Sequence, residues 1–115
     1  MEAYLKRNGA ISPEDYLAKA KAKAKEAGLK ADTLTFSDDK KHKLEIKDNY
    51  GRITRFGLVG YGDFILYNAW ADKGLVDKNM PLVKRNTFLK SHSKIKGYWR
   101  NNPYSPNNLA MKILW

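Results

Sequence analysis

Residues 33–56, TLTFSDDKKHKLEIKDNYGRITRF, decide the fold class of this chain. Within them, 33–37 and 42–47 alternate apolar and polar residues, and 52–56 follows the turn-forming sequence Asp48-Asn-Tyr-Gly51. A period of two is typical of strands that bury one face. The pattern therefore predicts a three-stranded antiparallel meander. Its apolar face would carry Leu34, Phe36, Leu44, Ile46 and Ile53.

A sheet of three short strands needs helices to cover it, and a strong helix signal precedes it. Ser12 offers an N-cap hydroxyl, Pro13 suits the first helical position, and Glu14-Asp15 places carboxylates in the first turn. The helix should continue through the alternating Ala and Lys residues, because both are strong helix formers. It should end at Gly28. Its narrow packing face would consist of Leu17, Ala20, Ala24 and Ala27.

Three helix signals follow the sheet. Asp63 is a candidate N-cap for a helix over 64–70, Pro81 can open a helix that runs to residue 93, and Ser105-Pro106 repeats the cap-plus-proline signal. In the middle helix we expect Val83, Phe88 and Leu89 to face inward and Lys84, Arg85 and Lys90 to face outward. The short last helix would carry Leu109, Met111, Ile113 and Leu114.

Gly57, Gly60 and Gly62 punctuate the loop that follows the sheet. Their order, Gly-x-x-Gly-x-Gly, differs from the Gly-x-Gly-x-x-Gly of dinucleotide-binding sites, and no parallel βαβ pattern surrounds them. We therefore expect these glycines to turn the backbone tightly rather than to hold a phosphate.

These elements predict a single α+β domain over residues 1–115, with a small three-stranded antiparallel sheet packed against an N-terminal helix and two or three C-terminal helices. Residues 1–11 would form a short extra turn or a flexible arm. The apolar sequence Ile113-Leu114-Trp115 needs burial, either in the chain's own core or against another protein. We expect burial in the chain's own core for Leu109 and Ile113, and for Trp115 both alternatives stay open.

The charge of the chain favours an acidic partner. Lys and Arg total 22 against 12 Asp and Glu, which gives a net charge of +10. Nucleic acid, an anionic membrane and an acidic protein surface all fit this charge. The absence of cysteine excludes disulfides and thiol catalysis. No apolar run approaches the roughly 18 residues that span a bilayer, and the first residues lack the order of a secretory signal, so we expect a soluble intracellular protein.

Few residues suggest catalysis. His42 and His92 lie among lysines, and no carboxylate is placed in the sequence to orient either imidazole. We interpret Asp38-Asp39 as a charged turn and Glu14-Asp15 as a helix start. We therefore expect a non-enzymatic protein with no catalytic residue, no metal site and no cofactor.

Basic and aromatic residues are interleaved after residue 84, a mixture that can supply phosphate contacts and base stacking. The same aromatic residues could equally be core or interface anchors, and no known nucleic-acid-binding motif is present. Candidates for contact with nucleic acid or an acidic surface are Lys84, Arg85, Lys90, Lys94, Lys96 and Arg100. Candidates for contact with a protein partner are Tyr98, Trp99, Tyr104 and Trp115.

Several motifs of the second half resemble a family of small basic proteins encoded by nucleocytoplasmic large DNA viruses of algae and protists. The motifs are Phe-Gly, Gly-Tyr-x-Asp-Phe, Ile-Lys-Gly-x-Trp, and Tyr-Ser-Pro-Asn-Asn-Leu with a closing Leu-Trp. Here they fall on Phe56, Gly57, Tyr61, Asp63, Ile95, Gly97, Trp99, Tyr104, Pro106, Asn107, Asn108, Leu109, Leu114 and Trp115. The central helix departs from the family, since it is less basic and is interrupted by Gly74 and Pro81, which weakens its assignment as a nucleic-acid surface.

The resemblance implies a structural role without an assigned chemistry. We expect a virion protein of a large double-stranded DNA virus, a minor capsid or cementing protein that contacts capsid or other virion proteins and occurs in the virion and inside the infected cell. The alternative is a non-specific DNA-binding or DNA-condensing protein packaged in the particle. Attachment to a membrane surface is a weaker option, because the Ala/Lys helix lacks large apolar residues to insert.

Overall fold

A computed structural model, which describes residues 1–95, 97 and 101–115, confirms the three-stranded antiparallel sheet and the α+β class. Strands β1 (Thr35–Phe36), β2 (His42–Lys47) and β3 (Ile53–Leu58) lie in sequence order. The first strand is shorter than predicted, because Ala31–Thr33 forms a 3-10 helix. This helix is held by the Thr33 hydroxyl, which donates to the Lys30 carbonyl and accepts from the Lys47 amide.

The register of β2 and β3 corrects the predicted apolar face. Leu44 pairs with Phe56, and Lys47 pairs with Ile53. Because side chains alternate along a strand, Ile53 lies on the face of Lys47 and is 46% exposed, whereas Phe56 is buried beside Leu44. The prediction of Ile53 on the apolar face was therefore wrong, and Phe56 takes that place.

Helix α2 (Pro13–Glu26) begins as predicted. The Ser12 hydroxyl accepts a hydrogen bond of 3.1 Å from the Asp15 amide. The helix ends just before Gly28, which has a positive φ of 73°. Its packing face differs from the prediction by a rotation toward Tyr16, because Ala27 is exposed and Leu17 is only half-buried. The buried residues of the helix are Pro13, Tyr16, Ala20 and Ala24.

Residues before Ser12 are docked on the domain. Helix α1 (Glu2–Asn8) takes the place of the predicted turn or arm and ends at Gly9. Leu5 and Ala10 are buried, and the Trp70 indole donates a 3.1 Å hydrogen bond to Asn8. The apolar residues of its packed face, Met1, Tyr4 and Leu5, have helical spacing but span little more than one turn.

Three α-helices follow the sheet among the described residues: α3 (Phe64–Asp72), α4 (Met80–His92) and α5 (Pro106–Leu109), the last continuing as a π-helical segment, Ala110–Leu114. The predicted caps are present, since Asp63 accepts from the Leu66 amide and Ser105 from the Asn108 amide. No helix of the described residues is long and apolar enough to cross a bilayer.

Helix α4 is rotated relative to the prediction. Its inner face is formed by residues at helical spacing, Pro81, Arg85, Phe88 and His92, which are buried or half-buried. Val83 falls on the opposite face and is exposed, and Arg85 is turned partly inward. The expected positions of these two residues were therefore wrong, while Phe88 and Leu89 are half-buried as expected.

The core lies between the sheet and the helices and includes the end of the chain. Trp115 is 6% exposed and packs in the chain's own core, as do Leu109, Ile113 and Leu114. The ring of Trp115 stacks on Phe88 with centroids 4.7 Å apart. The alternatives left open for Trp115 are resolved in favour of the chain's own core.

Candidate functional site

A buried polar network joins the sheet to two helices. Asp63 Oδ2 accepts hydrogen bonds from the Tyr16 hydroxyl at 2.6 Å and from Lys43 Nζ at 2.8 Å. Asp63 Oδ1 accepts from the Leu66 amide at 2.9 Å and so caps α3. All three side chains are buried, and even Lys43 is only 2% exposed. One carboxylate therefore links α2, β2 and α3.

The space for Lys43 depends on a glycine in the neighbouring strand. Lys43 lies opposite Gly57, between the pairs His42 with Leu58 and Leu44 with Phe56. A Cβ atom at Gly57 would lie 3.1 Å from Lys43 Cδ and 2.8 Å from Leu114 Cδ1. The lysine stem therefore packs against bare backbone, and both faces of β2 are covered at this end.

The surroundings of Tyr16 keep its hydroxyl protonated. Burial, followed by the charge of Asp63, raises the pKa of Tyr16 well above its ordinary value, so the phenol stays a hydrogen-bond donor. A buried carboxylate is stable only when it is paired and hydrogen-bonded, and here it accepts three hydrogen bonds. One of these three hydrogen bonds comes from the Lys43 ammonium group.

An open groove of about 610 Å³ adjoins this network, and Lys43 contributes to its lining. We call it the apolar groove, because most of its other side chains are apolar. Exposed side chains form its rim: Leu58, Tyr61 and Ile95. Its floor is formed by Phe88, Leu114 and Trp115, with Gly57 and Gly62 beside them.

The floor of the apolar groove is held by stacked rings. Trp115 and Phe88 are nearly parallel, with 12° between their planes, and His92 stacks on Phe88 with centroids 3.6 Å apart. Arg85 Nε donates a 2.8 Å hydrogen bond to the Trp115 carbonyl. A Cβ atom at Gly62 would lie 2.6 Å from the Tyr67 ring, so this glycine permits a close approach.

Two of the four aromatic residues predicted as partner contacts lie in the core. Tyr104 is buried and its hydroxyl accepts from the Lys30 amide at 3.1 Å. Trp115 belongs to the floor of the apolar groove but exposes little of its ring. Tyr104 therefore packs within the chain, and Trp115 combines packing in the core with a place in the groove lining. Tyr98 and Trp99 lie outside the described residues.

The predicted basic contacts are distributed along α4 and the turn that follows it. Lys84, Lys90 and Lys94 are exposed, and Arg85 is half-buried. Lys96 and Arg100 lie outside the described residues. The structure therefore places three predicted cations on the surface and directs the fourth, Arg85, toward Trp115.

These cations have few acidic neighbours. Of the lysines and arginines that the structure describes, only Lys43 and Arg55 have a carboxylate within 4.0 Å. No Asp or Glu follows Asp77 in the sequence. The last third of the chain therefore carries positive charge without compensation.

His42 has an acidic partner that the sequence analysis missed. Asp39 Oδ2 lies 2.7 Å from His42 Nδ1, so a carboxylate does orient this imidazole. Hydrogen bonds from the His42 side chain and backbone hold the pKa of Asp39 well below its ordinary value. Arg55 Nε lies 3.8 Å from the same Asp39 oxygen. We interpret this exposed cluster as a turn-stabilising ion pair of the β1–β2 connection.

No group of three or more potential metal ligands occurs within residues 1–95, 97 and 101–115. Comparisons of the chain with models of known protein families, with curated proteins and with solved structures found no match. Inference about function therefore depends on the network, the groove and the charge described above.

Proposed function

We propose that this chain is a non-enzymatic structural protein of a large double-stranded DNA virus, a basic minor capsid or cementing protein that binds other virion proteins. The observation that carries the proposal is the apolar groove, where exposed Leu58, Tyr61 and Ile95 converge on one concave surface. A contiguous apolar surface on a folded domain is typical of a binding site for another protein. The viral assignment is supported by the sequence resemblance.

The buried network supports a structural role as well. Tyr16, Lys43 and Asp63 bond to one another and lie in the interior. Such a network fixes the positions of the helices and strand that carry it. We assign it to maintaining the shape of the groove, because Lys43 belongs to both the network and the groove lining.

Lysine-directed crosslinking of purified particles of the virus that encodes this chain tests the proposal. We expect Lys90 and Lys94, close in sequence to His92 and Ile95 of the groove, to crosslink to capsid proteins. Lys40 and Lys41, exposed in the β1–β2 turn, serve as controls and should crosslink less. Absence of the chain from particles, or its recovery only with the genome, would overturn the proposal.

A second candidate function is non-specific DNA binding, favoured by the exposed cations that lack acidic neighbours. Counterion release predicts that affinity for a DNA duplex falls steeply with salt, with a slope near −0.9 for each phosphate contact. Changing Lys84, Lys90 and Lys94 to Gln should reduce the slope, whereas Lys40→Gln with Lys41→Gln should change it less. Gel shifts of a DNA duplex with micromolar protein, repeated from low to higher salt, measure this slope. The absence of any shift at low salt would rule out DNA binding.

A further inference from the structure

We infer that the apolar groove is a docking site for an acidic segment of a partner protein, which inserts apolar side chains into the groove and places carboxylates beside the exposed lysine that flanks it, Lys94. The inference rests on the proposed protein-binding function and adds the chemistry of the partner.

The groove is preformed for apolar side chains. Its rim residues Tyr61 and Ile95 are 68% and 44% exposed, and burying such side chains is favourable by roughly 25 cal/mol for each Å² of apolar surface. The stacked rings of Phe88 and Trp115 give the floor a fixed shape. A rigid site loses little conformational freedom on binding, which favours affinity.

The charge around the groove selects an acidic partner. Lys43 lines the groove but is paired with Asp63, so the charge that meets a partner lies beside the groove. Exposed Lys94 directly precedes Ile95 of the rim, and no Asp or Glu follows Asp77 in the sequence. The described residues of the groove lining include no Asp or Glu. Complementary carboxylates would therefore be attracted and a basic segment repelled.

The residue types that line the groove favour a protein over a nucleic acid. Single-stranded nucleic acids bind by stacking bases on exposed aromatic faces. Trp115 is almost fully covered, and two of the rim residues, Leu58 and Ile95, are aliphatic. This rim suits aliphatic or aromatic side chains of a polypeptide.

Selection of displayed random 12-residue peptides against the full chain tests the inference. We expect enrichment of peptides that combine Asp or Glu with large apolar residues. The double variant Tyr61→Ser with Ile95→Ser should weaken their binding at least tenfold, as expected for interface anchors. A matched control, Tyr50→Ser with Ile53→Ser, alters residues that are at least as exposed and lie outside the groove lining, and it should leave binding unchanged.

Four results would overturn the inference: a failed enrichment, enrichment of basic or uncharged peptides, equal binding to both double variants, or complete displacement of the peptides by duplex DNA. The outcome is separable from the virion proposal. If acidic apolar peptides are enriched but the chain is absent from particles, only the groove inference stands. If the chain crosslinks to capsid proteins but no peptides are enriched, only the virion proposal stands.

Discussion

Asp63 combines two roles that are usually held by separate residues. One carboxylate oxygen caps α3, where a negative charge also suits the helix dipole. The other accepts hydrogen bonds from Tyr16 and Lys43. A buried ion pair adds little net stability compared with apolar residues of the same size, yet removal of one partner leaves an uncompensated charge in the interior.

We therefore expect Asp63→Asn to lower the free energy of unfolding by about 3 to 5 kcal/mol. Asparagine is a good N-cap residue, so the loss should come mainly from the unpaired Lys43 ammonium group. The double variant Asp63→Asn with Lys43→Met should be more stable than Asp63→Asn alone, because the buried charge is gone. Urea unfolding measures both. A loss below about 1 kcal/mol for the single variant would contradict this account of the network.

The raised pKa of Tyr16 predicts that the stability of the fold decreases at alkaline pH. Its pKa is raised in the folded chain, whereas in the unfolded chain it titrates near 10. Above that pH the unfolded state binds fewer protons than the folded state, so the free energy of unfolding falls by up to about 1.4 kcal/mol for each pH unit. Below it, Tyr16 contributes no pH dependence.

The variant Tyr16→Phe should lack this slope. It also removes one hydrogen bond to Asp63, which adds a loss at every pH. Urea unfolding from about pH 9 to about pH 11.5, a range that brackets the ordinary tyrosine pKa, compares the two slopes. Parallel curves for the two proteins would show that Tyr16 ionises equally well in the folded state.

At the scale of elements, small residues decide how closely the segments pack. Ala20 and Ala24 are buried on α2 together with Tyr16, and α2 packs against the π-helical segment. Gly57 does the same for β3, since it lies against Leu114 and the stem of Lys43. These small residues therefore let the π-helical segment pack closely against both α2 and β3.

Gly57→Ala should destabilise the chain by about 2 to 5 kcal/mol, the sum of backbone strain at φ 74° and overpacking against Leu114. Gly60→Ala is the matched control, because φ is also positive there but its Cβ would have no atom within 4 Å. The loss of stability in Gly60→Ala should therefore reflect backbone strain alone. Thermal or urea unfolding separates the two, and equal losses would argue against the close contact.

At the scale of the whole molecule, the net charge of +10 opposes the compact state through self-repulsion. The exposed ion pairs of Arg55 with Asp38 and Asp39 act in the opposite sense, but such pairs contribute little. Repulsion among the cations should therefore dominate the response of stability to salt.

We expect the free energy of unfolding to rise by a few tenths to about 1 kcal/mol between about 0.01 M and about 0.1 M NaCl, where the screening length falls from about 30 Å to about 10 Å. Changing Lys84, Lys90 and Lys94 to Gln should reduce the rise. Urea midpoints at the two salt concentrations provide the measurement. A fall in stability with salt would mean that attractive pairs outweigh the repulsion.

The sequence by itself determined the elements whose signals act over a few residues. The Ser12 and Asp63 caps, the Pro81 and Ser105-Pro106 helix starts and the three-stranded meander all follow from local hydrogen bonding and the period of two. The limits of the sequence appear in neighbouring elements. Ile53 was assigned to the wrong face because register depends on the partner strand. Helix α1 was predicted only as a short turn or an arm, because its apolar residues Met1, Tyr4 and Leu5 span little more than one turn.

Only the tertiary structure decided which distant residues meet. Tyr16 and Lys43 reach Asp63 across 47 and 20 residues of sequence, and the rim of the apolar groove brings Ile95 to the turn that carries Leu58 and Tyr61. No local pattern encodes these meetings, because they depend on how three packed elements are oriented together. Trp115 shows the same division: its apolar character required burial, and the packing of Phe88 and Tyr67 determined where.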